Sequence, residues 1–271
     1  MKRILIILMV IVCTKIQAQS VHKYTNNFNT WYAYAGDHKV ADKWGVHLEA
    51  QFRVNDAVMR FQQLFFRTGV NYYFKNAFAT LGYAYAGTYP YGDFPVKREF
   101  PEHRIWEQVQ VKSQIDRFEF VNRFRLEQRF SKLPVQNTDG SYSIGDAVYT
   151  NRFRYMGKVS IPFKGKTIVD KSFFAYAYDE VFVSFGKHVA YNIFDQNRFG
   201  VGLGYKIPKA GKLEIGYLLQ TVNKPDGVKI ERNHTLQISL LSNIDFYNKE
   251  KKAKKKEAKE AEISKNLPLT N

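Results

Sequence analysis

The sequence predicts an all-β fold, a closed antiparallel transmembrane β-barrel of about 10–12 strands. Three observations predict it. Apolar and polar residues alternate with a period of two along most of the chain. The aromatic content is 16% although the mean hydropathy is only −0.40, so rings and charges share the same segments. Short connections alternate with long ones, as they do when tight turns lie on one side of a membrane and loops on the other.

The N-terminal stretch MKRILIILMVIVCTKIQAQS has a basic start, an apolar run from Ile4 and small or polar residues at Gln17, Ala18 and Gln19. It reads as a cleaved secretory signal over residues 1–19, too short to span a bilayer. Cys13, the only cysteine, lies inside it, so the mature chain is expected to carry no disulfide, thiol nucleophile or cysteine-ligated metal.

The barrel is expected over residues 20–247. A first, weaker segment spans 26–36. WGVHLEAQFRV (44–54) then sets Trp44, Val46, Leu48, Ala50, Phe52 and Val54 against His47, Glu49, Gln51 and Arg53. LFFRTGVNYYF (64–74) sets Leu64, Phe66, Val70, Tyr72 and Phe74 against Arg67, Gly69 and Asn71. Segments 77–88 and 104–115 are weaker. In the second, Glu107 interrupts the face of Ile105, Val109 and Val111, which predicts a bulge or a change of register.

NRFRLEQRF (122–130) has Phe124, Leu126 and Phe130 on one side and Arg123, Arg125, Glu127 and Arg129 on the other. YTNRFRYMGKVSIPF (149–163) repeats this, with Phe153, Tyr155, Val159 and Ile161 opposite Arg152, Arg154 and Lys158. After a weaker segment at 167–182, RFGVGLGYKI (198–207) alternates Phe199, Val201, Leu203 and Tyr205 with Gly200, Gly202 and Gly204, which make room for bulky side chains opposite. KLEIGYLLQTV (212–222) and HTLQISLLSNIDF (234–246) complete eleven segments, the last ending on Phe246. Single-chain bacterial barrels have even strand counts, so eleven implies one error, placed near residues 21–36.

Short turns are expected at 116–117, 164–166 and 208–211, and long loops at 89–103, 131–147, 183–196 and 223–233. In a membrane barrel the apolar faces look at lipid and the charged faces line the lumen. A soluble sandwich would turn the same faces the other way. Tyrosines and tryptophans gathered near segment ends, as at a membrane interface, favour the barrel.

The formal charge of +16 invites a nucleic-acid reading, but three of those charges lie in the first 15 residues and a net four in the tail KEKKAKKKEAKEAEISK (249–265). With +9 left for the body and no finger, helix-turn-helix or RNP-like pattern, nucleic acid is not an expected partner. Residues 248–271 read as a charged periplasmic tail.

The inward face carries the chemistry. Its arginines are Arg53, Arg67, Arg123, Arg125, Arg129, Arg152, Arg154 and Arg198, and their expected carboxylate partners are Glu49, Glu107, Glu119, Glu127, Glu180 and Glu214. Paired, they cross-link strands and fill a narrow interior; in excess, they make an electropositive lumen that attracts small anionic solutes. Asp195, Gln196, Asn197 and Arg198 form a polar segment where a long loop enters a strand. The histidines His22, His38, His47, His103, His188 and His234 stand in no catalytic spacing with a serine and show no H-x-x-x-H pattern, so neither an enzyme nor a cofactor is expected.

HRIWEQ (103–108), NRFRLEQRF (122–130), NRFRYMGKVSIPF (151–163), DEVFVSFG (179–186), DQNRFGVGLGYKI (195–207) and LEIGYLLQ (213–220) resemble the bacterial outer-membrane family called domain of unknown function 2490 (DUF2490). The resemblance runs from about residue 25 to 246 and departs in the charged tail. It implies a barrel in the outer membrane of a Gram-negative bacterium, in contact with its lipid, and brings no activity or substrate. The expected role is a narrow porin-like or transport-associated barrel with an Arg/Glu-lined lumen. The alternatives are a structural or adhesive barrel acting through its loops, or a lipid- or lipopolysaccharide-modifying enzyme.

Overall fold

The computed structural model describes residues 22–55 and 60–247; the segment read as a signal, with Cys13, and the segment read as a tail lie outside the described residues. Eleven strands close into one barrel: β1 (Lys23–Lys39), β2 (Trp44–Asn55), β3 (Arg60–Tyr73), β4 (Ala77–Thr88), β5 (Phe100–Ile115), β6 (Phe118–Gln136), β7 (Tyr142–Pro162), β8 (Phe173–Phe185), β9 (Phe194–Ile207), β10 (Gly211–Asn223) and β11 (Lys229–Ser242). Each pairs antiparallel with its sequence neighbours, and β1 pairs parallel with β11.

The count of eleven segments therefore stands, and the expected error near residues 21–36 does not exist. In an up-and-down chain with an odd number of strands the first and last run the same way, so closure is possible only through a parallel ladder. The barrel is mixed rather than wholly antiparallel. Lys23 and Ser242 consequently lie at opposite rims. One, the turn rim, carries residues 40–43, 74–76, 116–117, 163–172 and 208–210 between strands; the other, the loop rim, carries 89–99, 137–141, 186–193 and 224–228.

Register sets the width. Stepping across paired residues from Arg154 through β6, β5, β4, β3 and β2 ends on Lys39 of β1. Stepping the other way, through β8, β9, β10 and β11, ends on Thr25 of the same strand, 14 residues away. That stagger in eleven strands corresponds to a tilt of about 40° and a backbone radius of about 11 Å. Such an interior is wider than that of an eight-stranded barrel, which ordinary side chains just fill. Only long side chains meet across it, and arginine, tyrosine and tryptophan supply them.

Alternation puts the residues where the pattern predicts. Outward side chains such as Phe28, Phe52, Val70, Leu81, Ile105, Phe124, Leu203 and Leu236 remain largely exposed around the whole circumference, while the charged ones are buried inside. The aromatic part of the core is built over small residues. Gly69 and Gly82 face each other across β3 and β4, and with Ala84 and Ala86 they leave the floor on which the fully buried Trp106 lies. Gly200, Gly202 and Gly204 do the same for Tyr178, Tyr176 and Phe174 of β8. A Cβ on Gly82 would meet the Thr68 carbonyl oxygen and, at 2.8 Å, the Trp106 ring. Gly82→Val is therefore expected to cost about 3 kcal/mol, measured by urea titration of the folded barrel; a loss below about 1 kcal/mol would mean that the ring is not seated on that glycine.

Several features differ from the sequence reading. The expected loop at 131–147 is mostly a hairpin, because Val135 and Ile144 extend the alternation of β6 and β7 past the loop rim to a turn at 137–141. Pro134, which cannot donate to a ladder, coincides with a register shift there. The turn expected at 164–166 widens to 163–172, and β8 starts at Phe173. Finally, no bulge occurs near Glu107, since β5 pairs regularly on both sides. The bulges lie instead at Arg53/Val54, Lys132/Pro134 and Phe182/Val183.

Beyond β11, the Phe246 backbone N–H donates to the Lys39 carbonyl at 2.9 Å, so the chain continues along β1 after the last strand ends. At the loop rim, backbone N–H groups of Val228 and Lys229 donate to Asp226 and hold its carboxyl down to about 2.

Candidate functional site

The candidate site is the charged lumen, and its centre is Glu127. This carboxylate on β6 has no solvent exposure and accepts from four arginines on three strands. Arg67 of β3 reaches it at 3.1 Å, Arg104 of β5 at 3.5 Å, and Arg152 and Arg154 of β7 at 2.6 and 2.7 Å. Inward positions recur every second residue, so Arg152 and Arg154 present two guanidinium groups to the same acceptor from the neighbouring strand. A carboxylate has about four lone-pair sites, and Glu127 uses its full capacity.

Each of those arginines continues outward to a second carboxylate. Arg67 donates to Glu49 at 2.5 Å, Arg152 to Asp195 at 3.0 Å, and Arg154 to Glu180 at 2.8 Å, while Arg104 donates to Glu102. Glu180 also takes Arg123 at 2.7 Å and lies 3.7 Å from Arg198. Glu102 takes both fork positions of Arg129 and the Ser131 hydroxyl. His47 bridges Asp37 at 2.8 Å and Glu49 at 3.4 Å. Toward the turn rim, Lys158 pairs with Glu214 and Lys212 with Glu119.

Two arginines depart from this pattern. Arg125 donates to the Gln108 amide oxygen and lies 4.8 Å from the centre of the Trp106 ring. Arg53 donates to Gln51 and Gln63 and lies 3.9 Å from the Trp31 ring. Among the described residues no carboxylate oxygen comes within 4.0 Å of either.

The network divides the lumen. A cavity of about 200 Å³ lies toward the loop rim and another of about 230 Å³ toward the turn rim. Glu49, Gln51, Arg154 and Arg198 line both, so they belong to the wall between them. The loop 89–99 folds over the first cavity: Tyr91 reaches inward and donates to Glu231 at 3.1 Å, and Asp93 accepts from Thr25. Burial first, then the neighbouring Glu231 charge, pushes the Tyr91 hydroxyl above its ordinary range and keeps it a donor.

Of the residues named from sequence, Glu49, Arg53, Arg67, Arg123, Arg125, Glu127, Arg129, Arg152, Arg154, Glu180, Arg198 and Glu214 all face the lumen, and Glu119 lies at its turn-rim edge. Glu107 does not. It is exposed on the outer wall, where Gln128 donates to both of its oxygens at 3.3 and 3.2 Å. An uninterrupted strand keeps it on the same face as Ile105 and Val109. The segment 195–198 splits: a bulge turns both Asp195 and Gln196 inward, Arg198 follows, and Asn197 faces out to Asp179. Glu102, Arg104 and Glu231 were missed because they fall where loops or loop edges were placed. Alternation carried back from Trp106 would have found Glu102 and Arg104.

His38, His103 and His234 bond to Tyr34, Tyr83 and Tyr217, and His47 to its two carboxylates. Among the described residues no group of three or more His, Cys, Asp or Glu is placed to hold a metal ion.

The model of the family described as protein of unknown function (DUF2490) matches residues 28–231. No curated protein and no solved structure matches the chain.

Proposed function

The chain belongs to the DUF2490 family, and on that footing we propose that it is an outer-membrane β-barrel, a narrow conduit for small anions whose lumen is held shut by an ionic septum. The outer wall supports the membrane part of this reading. Its exposed apolar side chains encircle the barrel, far more than a soluble monomer leaves in water. Every strand is paired on both sides, so no ladder edge would be left unbonded in lipid.

One observation carries the conduit reading. The two cavities lie one beyond the other along the lumen and are separated only by side chains, those of the Glu127 and Glu180 arginine clusters. Side chains can swing aside where backbone cannot, and the arginine surplus favours anions over cations while they do.

Planar-bilayer recording tests it. Wild type is expected to give brief, low-conductance steps that prefer anions. Arg154→Ala, which removes a wall residue common to both cavities, is expected to give longer and larger steps with less anion preference. The reading fails if wild type and variant are both silent at every voltage, or if wild type is already as open as the variant. Silence would favour a structural barrel acting through the β6–β7 hairpin, which extends beyond the loop rim.

A further inference from the structure

We propose that the loop-rim cavity is a binding site for a compact oxyanion of the phosphate class, held between Arg53 and Arg198; the proposal rests on the anion-conduit reading and names its solute. Both guanidinium groups lie against one indole: Arg53 at 3.9 Å and Arg198 at 5.0 Å from the centre of the Trp31 ring. Their separation cannot exceed the sum of those distances. Two like charges held that close inside a protein repel strongly, and the usual remedy is a counter-charge between them. For Arg198, Glu180 stands at 3.7 Å on the septum side. For Arg53 no such group exists among the described residues; its three side-chain hydrogen bonds all end on neutral carboxamides and leave donors over.

The surroundings fit an oxyanion. The cavity wall carries eight cationic side chains against four carboxylates, and Glu127 and Glu180, which hold five of those arginines from behind it, add two more negative charges, leaving the cations in excess. Gln196 and Gln220 add amide groups to the wall. A register shift at Arg53/Val54 interrupts the ladder at Arg53, and another at Phe182/Val183 turns Asp195 and Gln196 into the same cavity; bulges of this kind re-aim side chains at functional sites. At about 200 Å³ the cavity holds about seven water volumes, enough for phosphate or pyrophosphate but not for a nucleotide or a lipid. Planar guanidinium forks match phosphate oxygens two at a time.

Isothermal titration of the full-length barrel in detergent with inorganic phosphate and with pyrophosphate tests the site. Saturable binding is expected, tighter for pyrophosphate and unaffected by equimolar chloride. Arg53→Gln is expected to weaken it at least tenfold. Arg53→Lys, which keeps the charge but loses the fork, should fall between, and Lys166→Gln at the opposite rim should bind as wild type does. Heat-modifiable gel migration establishes that each variant is folded. No binding by wild type at millimolar ligand, or unchanged binding by folded Arg53→Gln, overturns the site. Intact binding with a silent bilayer would instead remove the conduit and leave the site.

Discussion

Glu127→Ala is expected to be among the most damaging single substitutions in this barrel, lowering its stability by about 4 kcal/mol or more. Breaking a buried ion pair costs on the order of 3–5 kcal/mol, because the surviving partner is left as an uncompensated charge. Here one carboxylate holds four arginines. Each keeps a second carboxylate in Glu49, Glu102, Asp195 or Glu180, so the loss is less than four separate pairs would give. Urea titration in lipid vesicles measures it. The charge account makes a further demand: adding Arg152→Met to Glu127→Ala should recover part of the loss, since it removes one of the stranded cations. A single-variant loss below about 1 kcal/mol, or a double variant weaker than the single, would show that the septum is not held by this balance.

Trp106→Ala is expected to cost about 3–5 kcal/mol, the range for emptying a buried aromatic site. The ring is fully buried, lies over Gly69 and Gly82, and approaches Arg67 and Arg125 at 5.1 and 4.8 Å. Its removal would strip Arg125 to a single amide partner, Gln108. The indole N–H has no hydrogen-bond partner among the described residues, so Trp106→Phe keeps a π face and loses no hydrogen bond. The phenylalanine variant should therefore cost less than about 1.5 kcal/mol. The same denaturation series separates the two, and equal losses would mean that the N–H rather than the ring face does the holding.

Much of this was legible because alternation is local. A strand residue's face depends only on its parity, so NRFRLEQRF announced that Arg123, Arg125, Glu127 and Arg129 share one side without any knowledge of their partners. Glycines at alternate positions of β9 signalled bulky side chains opposite, and Tyr178, Tyr176 and Phe174 are there. At Glu107 residue type and parity disagree, and parity decides the face. By type a carboxylate belongs on the charged side, but the strand runs on unbroken and carries it outside.

What the sequence determined by itself is which face of each strand carries the charges, that eleven segments alternate, and that arginine outnumbers its partners in the lumen. Only the tertiary structure decided that closure is parallel, that four arginines meet on Glu127, and that the lumen is divided in two. The reason is one of range. Parity is set within two residues, whereas the contact of Arg67 with Glu127 spans 60 residues of chain and exists only after a particular stagger closes the ring.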